Sequence, residues 1–167
     1  MKKADGILCG DLHLTEDTPI CRTDNFQEAQ WRKLTFIKQL QEEHDCPVLC
    51  AGDLLDFWKP SPFLLSKIIE HLPKQFYTVL GNHDLPQHSL ELLEKSGIYT
   101  LQMAGSLAIL KGTHWGQEKD VFTTIAGKEI LIKHVMNYQR GHSPFPGCTD
   151  PSAEILLRKY KNYPLIS

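Results

Sequence analysis

Short apolar runs that stop abruptly at Gly-Asp divide the first half of the chain. Ile7, Leu8 and Cys9 end in Gly10-Asp11, and Val48, Leu49, Cys50 and Ala51 end in Gly52-Asp53. Unbroken apolar runs of this length predict buried strands that open into polar loops. Between them, Phe26, Ala29, Leu34, Ile37 and Leu40 recur at helical spacing, which predicts an amphipathic helix from about Asn25 to about His44. Ser61-Pro62 reads as a helix start, with Ser as N-cap and Pro in the first turn, followed by a buried stripe of Leu64, Leu65, Ile68, Ile69 and Leu72. Phe76 to Leu80 predicts a third strand ending in Gly81, and Leu90 to Glu94 a further helix stopped by Gly97.

The pattern changes in the second half. Leu107 to Leu110, Val121 to Ile125 and Glu129 to Lys133 read as short strands, with Ala126-Gly127 as a hairpin turn, so a second, more antiparallel sheet is expected. Asp150-Pro151 opens a helix carrying Ile155, Leu156 and Tyr160, and Tyr163 to Ile166 reads as the beginning of a strand. Strand-helix alternation with short connections implies an α/β layered domain, because parallel strands need a crossover and the helix covers the sheet face.

Composition narrows the picture only a little. A chain of 167 residues with 41% hydrophobic content can bury one core, so a single domain, residues 1–167, is expected. The formal net charge of -2 provides no global field for nucleic acid or membrane, and any polyanion would have to be held locally. Five cysteines without metal-type spacing, and no signal-like apolar run after the N-terminus, point to a reducing cytoplasm. No apolar stretch approaches the roughly 20 residues that cross a bilayer.

The chemistry sits where the strands end. Four polar clusters follow apolar runs: Asp11-Leu12-His13, Asp53-Leu54-Leu55-Asp56, Asn82-His83-Asp84, and His134 after Ile130 to Lys133. In an α/β sheet the ligand crevice lies outside the carboxyl ends of the strands, so clusters far apart in sequence can converge there. Carboxylate, imidazole and amide oxygen together suit borderline divalent metals such as Mn, Fe, Zn, Co or Ni. Two ions roughly 4 Å apart, bridged by one carboxylate, would bind both ends of a phosphoryl transfer.

The motifs GDLHL at 10–14, GDLLD at 52–56 and GNHD at 81–84, with the strand-borne His134, resemble in kind and order those of the calcineurin-like metallophosphoesterases. The resemblance implies a layered sandwich of two mixed β-sheets flanked by helices. It implies that Asp11, His13 and Asp53 hold one metal, that Asp53, Asn82 and His134 hold the other, and that both are divalent, with Mn favoured. It also makes His83 the residue that contacts the substrate phosphate and assists the leaving group, with Asp56 orienting its imidazole. Asp84 belongs to the motif without an assigned catalytic role.

That superfamily usually closes its site with a GHxH motif. Gly141-His142-Ser143-Pro144 has the first pair only and follows His134 too closely, so the chain is expected to be cut short of the motif, leaving each metal three protein ligands. Asp-Leu-His-Leu, the loop with Arg22 and Asp24, and the long helix after it resemble the branch that contains recombination and double-strand-break repair exonucleases. A DNA phosphodiester is then the expected substrate, with Arg158, Lys159 and Lys161 as backbone contacts. The alternatives are a phosphatase or nucleotide phosphoesterase on small substrates, and a catalytically silent binding fragment. His44, His71, His88, His114 and His142 are expected at the surface, and Trp31, Trp58 and Trp115 in packing. The pair Phe57-Trp58 is expected in the core, with a cleft wall as the alternative. Arg22, Lys59 and Arg140 are read as solvated charges that could instead hold a phosphate.

Overall fold

In the computed structural model, which describes residues 3–115, 117, 119–134, 158–161 and 165–166, the first predicted strand is β1 (Ile7–Cys9). It pairs in parallel with β2 (Val48–Cys50), which pairs with β3 (Phe76–Thr78), which pairs with β4 (Ala108–Ile109). The register places Cys9, Cys50 and Thr78 level with one another. The three strands therefore release their loops along one edge, which is what brings the polar clusters together.

Helices cover one face. Helix α1 (Phe26–His44) starts where Asn25 accepts the Glu28 N–H at 3.2 Å, and it stops at Asp45, whose φ of 51° is left-handed. Helix α2 (Pro62–His71) is capped by Ser61, whose hydroxyl accepts the Leu64 N–H at 3.1 Å. Under the helices, Leu34, Ile68, Phe76, Leu80, Ile98 and Leu101 form the main core. On the other face of the sheet, Leu49, Ala51 and Val79 pack with Ile132. Coverage on both faces explains why β2, buried at all three positions, reads as an unbroken apolar run, whereas Leu8 of the edge strand β1 is exposed.

The region after β3 differs from expectation. Leu90–Lys95 is a 3₁₀ turn rather than an α-helix, and Gly97 does not stop a helix but begins α3 (Gly97–Met103). The reason lies in Ser96, which caps α3 by accepting the Tyr99 N–H, and in packing. The Gly97 N–H donates to the Trp58 carbonyl at 2.7 Å, and a side chain at Gly97 would collide with the Pro60 ring. Glycine is there for close approach.

The second sheet holds the hairpin β5 (Phe122–Ile125) and β6 (Lys128–Ile132), with β7 (Leu165–Ile166) parallel to β6. The turn is Ala126-Gly127 at φ of 49° and 76°, the doubly positive combination that matches strand twist. Near β7, Tyr160 is buried against Leu131. The chain is thus a layered α/β fold with one parallel and one mixed sheet. Ile155, Leu156, Arg140, His142 and the rest of the Gly141 to Pro144 segment lie outside the described residues. Among the described residues, no helix is long and apolar enough to cross a membrane.

Candidate metal centre

The loops after β1 and β2 are fastened to each other along their main chains. Asp11 N–H donates to Gly52 O at 3.2 Å, His13 N–H to Asp53 O at 3.0 Å, Leu14 N–H to Leu54 O at 2.9 Å, and Asp56 N–H to Leu14 O at 3.2 Å. Within this ladder Asp11, His13 and Asp53 adopt left-handed φ of 48°, 44° and 49°. Such a conformation costs a non-glycine residue of order 1–3 kcal/mol and persists where the surroundings impose it, often at ligand clamps.

Asp53 lies at the centre and is 5% exposed. One carboxylate oxygen accepts the His83 backbone N–H at 2.9 Å, while the other lies 3.6 Å from His13 Nε2 and 3.4 Å from His134 Nε2. Two groups of side chains share it: His13, Asp53 and His83, and Asp11, Asp53 and His134, the ligand atoms of each lying within 4.8 Å of one another. Asn82 joins the second group, its amide oxygen 3.2 Å from His134 Nε2. The pairing expected from the resemblance placed Asp11 with His13; here Asp11 falls with His134, and His83 falls with His13.

The hydrogen bonds of His134 say what the centre needs. Nδ1 lies 2.9 Å from the Ala51 carbonyl, which can only accept, so Nδ1 carries the proton. The Nε2 lone pair then faces two oxygens, Asn82 Oδ1 and Asp53 Oδ2. An acceptor facing acceptors is stable only with positive charge on or between them, either a second ring proton or a metal ion. His13 Nδ1 is buried without a hydrogen bond, and Asp56 Oδ1 approaches it at 3.2 Å in poor geometry. The donor set of carboxylates, imidazoles and an amide fits a borderline divalent ion.

Asp56 is the partner of the His83 imidazole, through its backbone carbonyl rather than its carboxylate. The His83 Nδ1 donates to the Asp56 backbone carbonyl at 2.7 Å, while the Asp56 carboxylate turns toward His13. The His13 and His83 rings meet edge to face, with centroids 4.8 Å apart.

Three residues to which the sequence reading gave no role at the site support it. Asp84, fully buried, accepts the Leu55 N–H at 3.0 Å and the Gly81 N–H at 2.9 Å, so it clamps the β2 loop to the β3 loop. Burial raises its carboxyl to about 7 against those two N–H groups, and the neighbouring Asp53 charge adds to the rise. His114 is not a surface residue: it is half-buried, its Nδ1 accepts the Leu80 N–H at 3.1 Å, and burial pushes its pKa down. Trp115 donates its backbone N–H to the Leu80 carbonyl at 2.8 Å and sets its ring 6.1 Å from that of His134. An acidic residue closing a motif just past an apolar strand was the available signal for Asp84; His114 and Trp115 gave none.

Other expectations sort as follows. His88 is exposed, yet its Nδ1 lies 2.8 Å from the Asn82 carbonyl. His71 stacks on Trp31 at 5.1 Å. Phe57 is 58% exposed and so is not core, whereas Trp58 is half-buried. Arg22 is neither free nor aimed at the metal ligands: it grips Asp24 in two hydrogen bonds of 2.7 and 2.6 Å and lies over the Phe26 ring. Lys59 is exposed. Arg158 is also exposed, and Lys159 is bound to Asp120 at 2.8 Å on the second sheet.

A cleft of about 430 Å³ opens beside His13 and Asp56, with walls from Leu12, Ile20 and Phe26. Another, of about 410 Å³, lies at the far edge of the sheet near Pro47, Gln75 and Ile125, away from the ligand groups.

No curated protein matches this sequence. The family model for calcineurin-like phosphoesterases does match, over residues 7–164, a span that holds all four polar clusters and strands β1 to β6. The chain belongs to the calcineurin-like phosphoesterases, metal-dependent hydrolases of phosphoester bonds.

Proposed function

We propose that the chain hydrolyses a nucleic-acid phosphodiester, DNA in particular, at two divalent ions, Mn favoured, held by Asp11, His13, Asp53, Asn82 and His134. The observation that carries the metal reading is the His134 ring, whose Nε2 lone pair is turned on two oxygen acceptors. Bound ions of this kind lower the pKa of a coordinated water to about 7 and neutralise phosphate oxygens. The rest falls to the chain. Asp53, common to both groups, fixes the spacing of the centre, and its second bond to the His83 N–H ties that spacing to the catalytic loop. With Nδ1 committed to the Asp56 carbonyl, His83 keeps Nε2 as the atom that exchanges a proton with the leaving oxygen.

The polymer reading is supported by openness. Asp11, Asp56 and Phe57 are exposed, so a strand can lie across the centre, and Phe57 offers a face on which a base can stack. The resemblance to repair exonucleases points the same way. A second reading, a nucleotide phosphoesterase on small substrates, is favoured by the absence of Lys or Arg from the walls of the cleft beside His13, among the described residues. The free thiols of Cys9, Cys21, Cys46 and Cys50 accord with a cytoplasmic setting.

The purified protein with manganese should be tested on single-stranded DNA, double-stranded DNA and bis(4-nitrophenyl) phosphate. Cleavage of DNA that a chelator abolishes, and that His83→Ala slows by roughly 10²–10⁴ fold, is the expected result. Turnover of small esters with DNA left intact would replace the nuclease reading with the second one.

A further inference from the structure

The cleft beside His13 and Asp56 has a composition that a phosphate-binding groove would not have. Its apolar walls are Leu12, Ile20 and Phe26, and its charged residues are Asp17 and Asp56, both acidic. Arg22, which neighbours Phe26 of this cleft, spends its guanidinium on Asp24 in two short hydrogen bonds. Among the described residues, a second phosphate entering here would meet two carboxylates and no free cation from the cleft walls. An uncharged, flat group would instead gain apolar contact on entering, and the volume of about 430 Å³ lies within the range of small-molecule sites. Ile20 stands fully exposed at this cleft, an isolated aliphatic side chain that a planar ligand would cover.

His13 belongs both to the cleft and to one of the two ligand groups around Asp53. A molecule whose phosphate sits at the centre can therefore place its neighbouring group in the cleft. We infer that this cleft receives the nucleobase of the nucleotide that carries the scissile phosphate, so that the substrate is a nucleotide unit with its base unstacked. This rests on the proposed function above and deepens it. The preferred DNA is then single-stranded or frayed, because a paired base cannot enter a side cleft without being extruded. Selectivity for the base arises from Leu12, Ile20 and Phe26, while Asp17 and Asp56 exclude the adjoining phosphate.

Calorimetric titration of the manganese-loaded protein with two non-hydrolysable ligands tests this directly. One is the 5′-methylenephosphonate of deoxyadenosine; the other is the same phosphonate on 2-deoxyribose without a base. The wild-type protein is expected to bind the base-bearing ligand about tenfold more tightly, the scale set by stacking and apolar contact of one base. Ile20→Asp, at a site with no packing role, is expected to bring that ratio close to one. Equal affinities in the wild type, or an undiminished ratio in Ile20→Asp, would overturn the inference while leaving phosphate binding at the metals intact. If neither ligand binds, it is the metal-phosphate reading that has failed, and this inference goes with it.

Discussion

Asp53 carries more of the site than any other side chain, since its carboxylate meets His13, His134 and the His83 backbone at once. Asp53→Asn keeps the shape and removes the charge. Losing an outer partner of a metal ligand costs about 10–100-fold in metal affinity or activity, and loss of a shared inner carboxylate should exceed that. Elemental analysis of Asp53→Asn is expected to show less than the wild-type metal content, with kcat/KM down by more than about 100-fold. Gly81 makes the same point through space rather than charge. A Cβ there would fall on the Asp53 carboxylate and backbone, so Gly81→Ala is expected to destabilise by about 1–3 kcal/mol in urea titration and to lose metal as well. A substitution that leaves metal content unchanged would show that the Asp53 position is not under this constraint.

The second sheet is tied together by one acidic residue. Burial pushes the Asp120 carboxyl upward, but hydrogen bonds from Lys159, Tyr160 and Lys133 outweigh it and bring its pKa down to about 2. Because this folded value lies below the ordinary 3.8, Asp120 contributes stability above about pH 4 that disappears as the pH falls toward 2. Allowing for solvent screening, the contribution is about 1–2 kcal/mol. Urea unfolding of wild type and Asp120→Asn at pH 6 should differ by that amount, and the difference should close near pH 2; a constant gap would point to packing instead. None of this was visible beforehand, because Asp120, Lys133 and Lys159 come from distant stretches with no shared period. The strands β1, β2 and β3 were visible as short apolar runs whose ends were marked by Gly10-Asp11, Gly52-Asp53 and Gly81-Asn82, although only β2 is buried at every position. Their level register is why Asp11, Asp53 and Asn82 could be expected at one edge. What stayed hidden was which atom serves which partner: the Asp56 carbonyl rather than its carboxylate, or Asp84 accepting two N–H groups. Side-chain to backbone bonds leave no trace in hydrophobic spacing, and Gly97 looked like a helix stop because its collision with Pro60 exists only in three dimensions.

For the molecule as a whole, bound ions should act as a structural element. If two divalent ions bind the native state alone, stability rises by about 2.7 kcal/mol per site at a hundredfold excess over Kd. The thermal midpoint is therefore expected to drop on treatment with EDTA and to recover on adding manganese, with two ions per chain by elemental analysis. A midpoint indifferent to chelation would mean that the acceptor-lined centre is closed by protons. The main-chain ladder joining the loops beyond β1 and β2 gives that centre its scale. Neighbouring strands in a sheet lie about 4.8 Å apart, close to the roughly 4 Å between paired catalytic cations. If two ions bind there, the lateral repeat of the backbone would work as a ruler for them, and a slip of β1 against β2 by a single residue would leave both strands intact yet turn Asp11 and His13 away from Asp53.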